Sequence, residues 1–143
     1  MSELFVDTWG WLTLYDKRES QHQRVVGFYA DFRTQGGQLY TSDYVLDETF
    51  TLLFKRLPFV QAQQALYLLD MATQAGYLHL EWITPERFGQ TKILRLKLKD
   101  KPGISFTDLA SMSVMAELGI STVLTADAHF MHVGMGLQVV PQI

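Results

Sequence analysis

The feature that constrains this chain most is the alternation of short apolar runs with longer segments of helical periodicity. Apolar runs of strand length occupy residues 4–6, 39–41, 78–83, 122–125 and 137–140. The segments between them carry apolar residues at the spacing of amphipathic helices. Strands that alternate with helices form a parallel sheet covered on both faces. The chain is therefore predicted to be an α/β protein, a three-layer α/β/α sandwich with a central, mostly parallel sheet of about five strands.

The predicted helices have recognisable ends. Ser42 or Asp43 is placed to cap the helix that follows the second strand, and Pro58 ends it. The buried stripe predicted for that helix comprises Leu46, Phe50, Leu53, Phe54 and Leu57. Residues 59–75 form another apolar-rich helix closed by Gly76, and the surplus of apolar surface on this pair predicts a homodimer. Residues 94–99 alternate with the period of a strand, but their residue types favour a helix.

Length and composition limit the classes of protein that the chain can belong to. A chain of 143 residues, 48% of them hydrophobic, suits one domain over residues 1–143. No apolar stretch approaches the roughly 20 residues of a membrane-spanning helix, and the first residues resemble no signal peptide, so a cytoplasmic protein is expected. The absence of cysteine excludes disulfides, thiolate metal ligands and cysteine nucleophiles. A net charge of −3 gives no general attraction for nucleic acid, so phosphate must be met by a local basic patch or by bound cations.

Several acidic residues fall near the ends of predicted strands. Asp7 directly follows the first strand and Asp127 follows the fourth, so both are expected at the edge where ligands bind to open α/β sheets. Asp108 is harder to place, because the helix that leads into the fourth strand is expected to begin at the opposite end of the sheet unless it is tilted. Glu48 lies between Val45 and Leu52 on its helix, away from the main stripe, and is expected to be half-buried.

Carboxylates that folding brings close together need a positive charge nearby to offset their repulsion. Two unit charges 4 Å apart interact by about 1 kcal/mol in water and about 4 kcal/mol at an effective dielectric of 20. Without cysteines and with few histidines, the fitting cation is Mg²⁺ or Mn²⁺, which prefers oxygen ligands. Such an ion activates water and stabilises charge in the hydrolysis of phosphodiesters. His129 and His132 follow Asp127, but the chain lacks the ligand spacing of a zinc site.

Four motifs in order, LFVDT, TSDYVLDET, SFTDLAS and VLTADAHF, resemble the PIN-domain ribonucleases, and more narrowly the VapC-type toxins of toxin–antitoxin pairs. The resemblance covers essentially the whole chain and implies a PIN-like fold and an endoribonuclease that needs Mg²⁺ or Mn²⁺. Matched residue by residue, it implies that Asp7, Glu48, Asp108 and Asp127 bind the metal, so that Asp108 joins the site. It further implies that Thr107 and Thr125 orient these carboxylates, that RNA is the substrate, that the protein is a homodimer and that a cognate antitoxin binds it.

Each of these acids also has an ordinary structural explanation. Asp7 could cap the following helix, Ser105 and Asp108 fit a capping box, and Asp127 could belong to a turn. Asp47 could be the functional acid in place of Glu48, because a step of one residue rotates a helix by about 100° and only one of the two can point inward. The alternative function is accordingly a non-catalytic PIN-fold module that binds RNA or a protein.

Two further groups of side chains could contact RNA. Lys92, Arg95 and Lys99 share one face of the predicted helix and could bind phosphate, although a basic segment is more often a solvated face. Trp9 and Trp11 could stack on unpaired bases, with packing in the core expected for at least one of them.

Overall fold

A computed structural model describes residues 2–142 and contains a five-stranded sheet in the order β3-β2-β1-β4-β5, in which every pair of neighbours is parallel. The strands are β1 (Glu3–Val6), β2 (Gln38–Ser42), β3 (Leu78–Glu81), β4 (Thr122–Leu124) and β5 (Gln138–Val140). The helices are α1 (Thr8–Tyr15), α2 (His22–Thr34), α3 (Asp43–Arg56), α4 (Phe59–Ala75), α5 (Pro85–Lys97) and α6 (Phe106–Leu118), and a short 3-10 helix spans Ala128–Met131. The predicted fold class is confirmed.

The central strand shows that helices cover both faces of the sheet. Leu4, Phe5 and Val6 are all fully buried, and successive side chains of a strand point to opposite faces. The same holds for Val123 and Leu124 in β4. The order of the strands reverses between β1 and β4, since the chain proceeds from β1 through β2 to β3 before it returns to β4. Ligands of open α/β sheets bind beside such a reversal, outside the carboxyl ends of the strands.

Local signals in the sequence account for the helix ends. The Ser42 hydroxyl accepts a hydrogen bond from the backbone N–H of Val45 at 3.1 Å, so that Ser42 rather than Asp43 caps α3. Thr84 caps α5 ahead of Pro85, and Gly76 ends the preceding helix with a φ of +88°. Residues 94–97 are helical, as their composition predicted.

None of the helices within residues 2–142 combines the length and the apolar character needed to cross a membrane.

The buried face of α3 differs from the predicted stripe. Its buried residues are Val45, Thr49 and Leu53, whereas Phe54 is 36% exposed and packs on Phe59 instead. Leu53 and Leu57 of the predicted stripe are buried, and Leu46 and Phe50 pack against the core. The prediction was wrong for Phe54, and it missed Val45 and Thr49. Phe54 thereby joins an exposed apolar surface on α3 and α4, whose other members are Phe59, Val60, Tyr67, Leu68 and Met71. Dimerisation through this surface stays a prediction, as does the single domain.

The approach of α1 to the sheet depends on Gly10. A Cβ atom at this position would lie 2.9 Å from the side chains of Val6 and Leu124 and from the Leu124 carbonyl oxygen. Gly27, in the middle of α2, has nothing within 4 Å of the corresponding point. The two glycines therefore offer a matched test of how closely α1 packs beside the carboxyl ends of β1 and β4.

We expect Gly10→Ala to lower the free energy of unfolding by about 1–3 kcal/mol, because the added methyl group overpacks a site bounded by backbone. Gly27→Ala should raise it by roughly 0.5–1 kcal/mol, since alanine is the better helix former and meets open space. Urea unfolding followed by circular dichroism measures both values. Equal effects of the two substitutions would contradict the close contact at Gly10.

Candidate active site

Asp7 and Asp127 come together because β1 and β4 are parallel neighbours. Val6 pairs with Leu124 in the sheet, and the Asp7 backbone N–H donates to the Leu124 carbonyl at 3.2 Å. The hydroxyl of Thr125 donates to Asp7 Oδ2 at 2.9 Å and accepts from the Asp127 backbone N–H at 3.1 Å. One buried threonine thus holds the side chain of the first acid and the backbone of the second.

Two of the ordinary explanations can be tested on these contacts. Asp7 occupies the N-cap position of α1, but its side chain makes no capping hydrogen bond. Asp127 does form a turn, because its Oδ1 accepts from the His129 backbone N–H at 2.9 Å and caps the short 3-10 helix. Its second carboxylate oxygen is not used in that turn, and the Asp127 carboxyl group interacts with Asp108.

Asp108 lies at the same edge of the sheet, and the expectation that its helix begins at the opposite end was wrong. A helix that leads into a parallel strand runs antiparallel to it and therefore starts at the edge where the strands end. Ser105 caps α6 through the Asp108 backbone N–H, which leaves the Asp108 side chain free to face the other acids.

Glu48 lines the same cleft, whereas Asp47 does not. On a helix whose buried ridge runs through Val45 and Thr49, Glu48 flanks the ridge and Asp47 points almost directly away from it. Glu48 is exposed rather than half-buried, because the rotation of α3 that buries Val45 turns it toward the rim of the cleft. Its charge nevertheless raises the pKa values of Asp7 and Asp108.

The four acids share a cleft of about 490 Å³. Its lining residues are Asp7, Thr8, Trp9, Leu12, Glu48, Leu52, Ser105, Asp108, Thr125, Ala126 and Asp127. No lining residue is basic. Larger surface depressions elsewhere, such as the one of about 570 Å³ beside Asp16 and Pro58, contain no comparable group of acids.

The two tryptophans of the first helix differ in position. Trp9 lines the cleft, whereas Trp11 is fully buried and its indole N–H donates to the Thr41 hydroxyl oxygen. Of these two, only Trp9 can contact a ligand in the cleft.

The cleft disfavours several negative charges at once. Burial raises the pKa of Asp7 to about 6, opposed by the hydrogen bond from Thr125 and reinforced by the nearby charges of Glu48 and Asp127. Burial also raises the pKa of Asp108 to about 8, with the charge of Asp7 as the next cause and the contact with Asp127 after it. Near neutral pH, a proton or a cation must therefore offset part of this charge.

The side chains fit a divalent cation. Asp108, Asp127 and His129 each offer a ligand atom, and these three atoms lie within 4.8 Å of one another. Thr8 is only 5% exposed and its hydroxyl oxygen is buried without a hydrogen-bond partner among the described residues, although it lines the cleft. Carboxylate-rich sites of this kind suit Mg²⁺ or Mn²⁺. The sequence pointed to His129 only by its position two residues after Asp127, and His132 is not part of the group.

The remaining predicted site residues are less closely tied to the acids. Thr107 is half-buried, and within residues 2–142 it makes no side-chain hydrogen bond to a carboxylate, so its orienting role stays a prediction. The guanidinium of Arg95 donates to the carbonyls of Ile104, Leu98 and Lys101 at 2.7–2.8 Å. This use of its donors speaks against Arg95 as an RNA contact, because the loop before α6 already occupies them. Lys92 and Lys99 keep that predicted role.

Comparison with known proteins gives a consistent result. Residues 4–135 match the model of the PIN domain family. The chain is similar to the structure of Mycobacterium tuberculosis VapC20, described as a sarcin–ricin loop cleaving toxin, with 27% identity, a TM-score of 0.75 and coverage of 92% of this chain and 95% of that one. No curated protein matches the sequence significantly.

Two further solved structures share the fold. VapBC2 from Rickettsia felis, crystallised with a DNA fragment of its promoter, is 18% identical with a TM-score of 0.68, and the match covers 96% of each chain. FitAcB from Neisseria gonorrhoeae is 15% identical with a TM-score of 0.63, and that match covers 95% of each chain. At these identities the likeness concerns the fold alone.

The raised pKa values predict how the stability of the metal-free protein depends on pH. An acid whose folded pKa lies above its unfolded value of 3.8 stabilises the fold below pH 4, and this contribution is lost as the pH rises through the folded pKa. In EDTA, the melting temperature should therefore fall between pH 5 and 8, by at least about 5 °C. Differential scanning calorimetry measures the fall.

Asp108→Asn serves as the test variant and Asp31→Asn, on the exposed face of α2, as its control. The fall with pH should be shallower in Asp108→Asn and unchanged in Asp31→Asn. Addition of Mg²⁺ or Mn²⁺ at pH 8 should restore the melting temperature of the parent protein, since a bound cation stabilises the ionised cluster. A melting temperature that stays level from pH 5 to 8 would contradict the raised pKa values of Asp7 and Asp108.

Proposed function

Because this chain belongs to the PIN domain family, we propose that it is a Mg²⁺- or Mn²⁺-dependent endoribonuclease that hydrolyses RNA phosphodiester bonds and acts as the toxin of a toxin–antitoxin pair. The observation that carries the proposal is the convergence of Asp7, Glu48, Asp108 and Asp127 on one cleft without a basic side chain. Four acids gathered in this way oppose the stability of the fold unless they serve a cation. Phosphodiester hydrolysis is the reaction that such a site supports.

Each side chain has a separate role in this proposed site. Asp7, Asp108 and Asp127 would hold the cation, with Glu48 contributing from the rim of the cleft. Thr125 fixes the orientation of Asp7 through its hydroxyl group and holds the backbone at Asp127. When bound, a divalent cation supplies positive charge to the scissile phosphate and activates water for in-line attack. Trp9 offers an aromatic surface in the cleft, suited to an unpaired base.

The proposed substrate is inferred from the charge of the cleft and from one of the structural neighbours. An anionic cleft repels phosphate unless the cation is present, so RNA binding and metal binding should depend on each other. The 27% identical neighbour is described as a toxin that cleaves the sarcin–ricin loop, which makes an RNA carrying that loop the first substrate to test. Lys92 and Lys99 are proposed to meet the RNA backbone outside the cleft.

The partner proteins are part of the same proposal. A cognate antitoxin with an arginine-bearing tail would complement the negative charge of the cleft. The exposed apolar surface on α3 and α4 suits a homodimer, and the cytoplasm is the expected compartment. The alternative function is a PIN-fold module that binds RNA or protein without cleaving it. Buried acids with raised pKa values favour the enzyme over this alternative, since a binding module has no need of them.

We expect Asp7→Asn and Asp127→Asn to reduce cleavage of RNA by at least on the order of 100-fold, because each removes a charged ligand from the cation. The parent protein should cleave with Mg²⁺ or Mn²⁺ and stop in EDTA. The measurement is gel electrophoresis of an end-labelled RNA that contains the sarcin–ricin loop, alongside total RNA. Asp31→Asn again provides the control for loss of an acid far from the cleft.

Circular dichroism establishes that each variant is folded before its activity is compared. Folded Asp→Asn variants that cleave as fast as the parent would show that the proposed site is wrong. A parent protein that binds RNA with either metal but never cleaves it would favour the binding module.

A further inference from the structure

His129 stands out among the residues around the cleft because the resemblance to the family assigns it no role. It is the second residue of the short 3-10 helix Ala128–Met131, two residues after Asp127. Its Nδ1 lies 3.2 Å from Asp127 Oδ1, and its side chain is 48% exposed. It belongs to the one group of side chains within residues 2–142 that brings three potential metal ligands together, the other two being Asp108 and Asp127.

We propose that His129 supplies an imidazole ligand to the cation held by Asp108 and Asp127, and that this ligand makes the site prefer Mn²⁺ over Mg²⁺. The proposal rests on the proposed function, which places a divalent cation in the cleft, and it goes further by naming an additional ligand and the ion that is preferred.

The distances suit a shared ion. Adjacent ligands of an octahedral ion at about 2.1 Å are separated by about 3 Å. The separation of 3.2 Å between His129 Nδ1 and Asp127 Oδ1 is close to that value. The backbone N–H of His129 also donates to Asp127 Oδ1, so that the turn holds the imidazole and the carboxylate on the same side of the chain. The same separation suits an N–H···O hydrogen bond, and the experiment has to distinguish the two.

A second observation points to a ligand in the cleft that Asp108 and Asp127 line. Thr8 lines the cleft beside Asp7, and its buried hydroxyl oxygen has no hydrogen-bond partner among the described residues. A buried hydroxyl without a partner costs about 1–3 kcal/mol, so such groups are normally satisfied by water or by a bound species. A hydrated cation between the acids would bring water within the same cleft and provide that partner.

The identity of the ligand atom determines which ion is preferred. Mg²⁺ binds oxygen ligands and water almost exclusively, whereas transition-metal ions gain more from an imidazole nitrogen. A site of carboxylates alone discriminates little between Mg²⁺ and Mn²⁺. A site that adds one imidazole should favour Mn²⁺, and removal of the imidazole should remove most of that preference.

The test uses the whole chain described here, stripped of metal with a chelator. The two probes are Mn²⁺ alone and Mg²⁺ in competition with Mn²⁺. Electron paramagnetic resonance of free Mn²⁺ gives both affinities without any RNA. We expect His129→Gln to weaken Mn²⁺ binding by roughly 10-fold while Mg²⁺ binding changes much less. Electron spin echo measurements on bound Mn²⁺ should show coupling to an imidazole nitrogen in the parent protein and none in His129→Gln.

His132→Gln is the matched control, because His132 is an exposed histidine in the same segment that is not part of the three-residue group. It should leave the affinities and the nitrogen coupling unchanged. If His129 only orients Asp127 through a hydrogen bond, His129→Gln will weaken both metals equally and the parent will show no nitrogen coupling, which overturns the proposal. Absence of any Mn²⁺ binding would overturn it together with the metal dependence of the proposed function.

Discussion

Burial of carboxylates beside other acids is the constraint on which the candidate site depends. Asp7 and Asp108 sit where burial and neighbouring charge both favour the protonated form. The surrounding chain supplies a neutral hydrogen bond from Thr125 but no basic side chain in the cleft. The charge therefore has to be offset from outside the chain, by protons or by a cation. This property supports the proposal that the site binds a divalent cation.

The rest of the fold packs closely around these carboxylates and holds their backbone in position. β1 and β4 are buried on both faces, and their parallel pairing sets the distance between the backbone at Asp7 and at Asp127. Gly10 lets α1 approach both strands closely, so the backbone around Asp7 has little freedom to separate the charges. Arg95 holds the loop before α6 through three backbone carbonyls, and that loop leads directly to Asp108. Rigid support of this kind would hold the acids in place for the proposed cation.

The proposed function depends on the absence of basic side chains in the cleft as well as on its acids. Without a basic side chain, the cleft cannot attract a phosphate group by itself, so the proposed RNA substrate and the proposed cation would bind together. Membership of the PIN domain family agrees with this chemistry, since the acids named by the motifs are the acids that meet in the cleft. His129 extends the set by a nitrogen donor that the motif pattern does not require.

The sequence by itself determined the local structure and the identities of the acids, because hydrophobic period, caps such as Ser42 and stops such as Gly76 act within a few residues. Only the tertiary structure decided which face of α3 is buried, that Arg95 is used by its own loop, and that His129 lies beside Asp127. These outcomes depend on contacts between secondary-structure elements. More than one helix face can pack against the core, and the tertiary packing determines which groups lie close enough to a side chain to bind it. Periodicity carries no information about that competition.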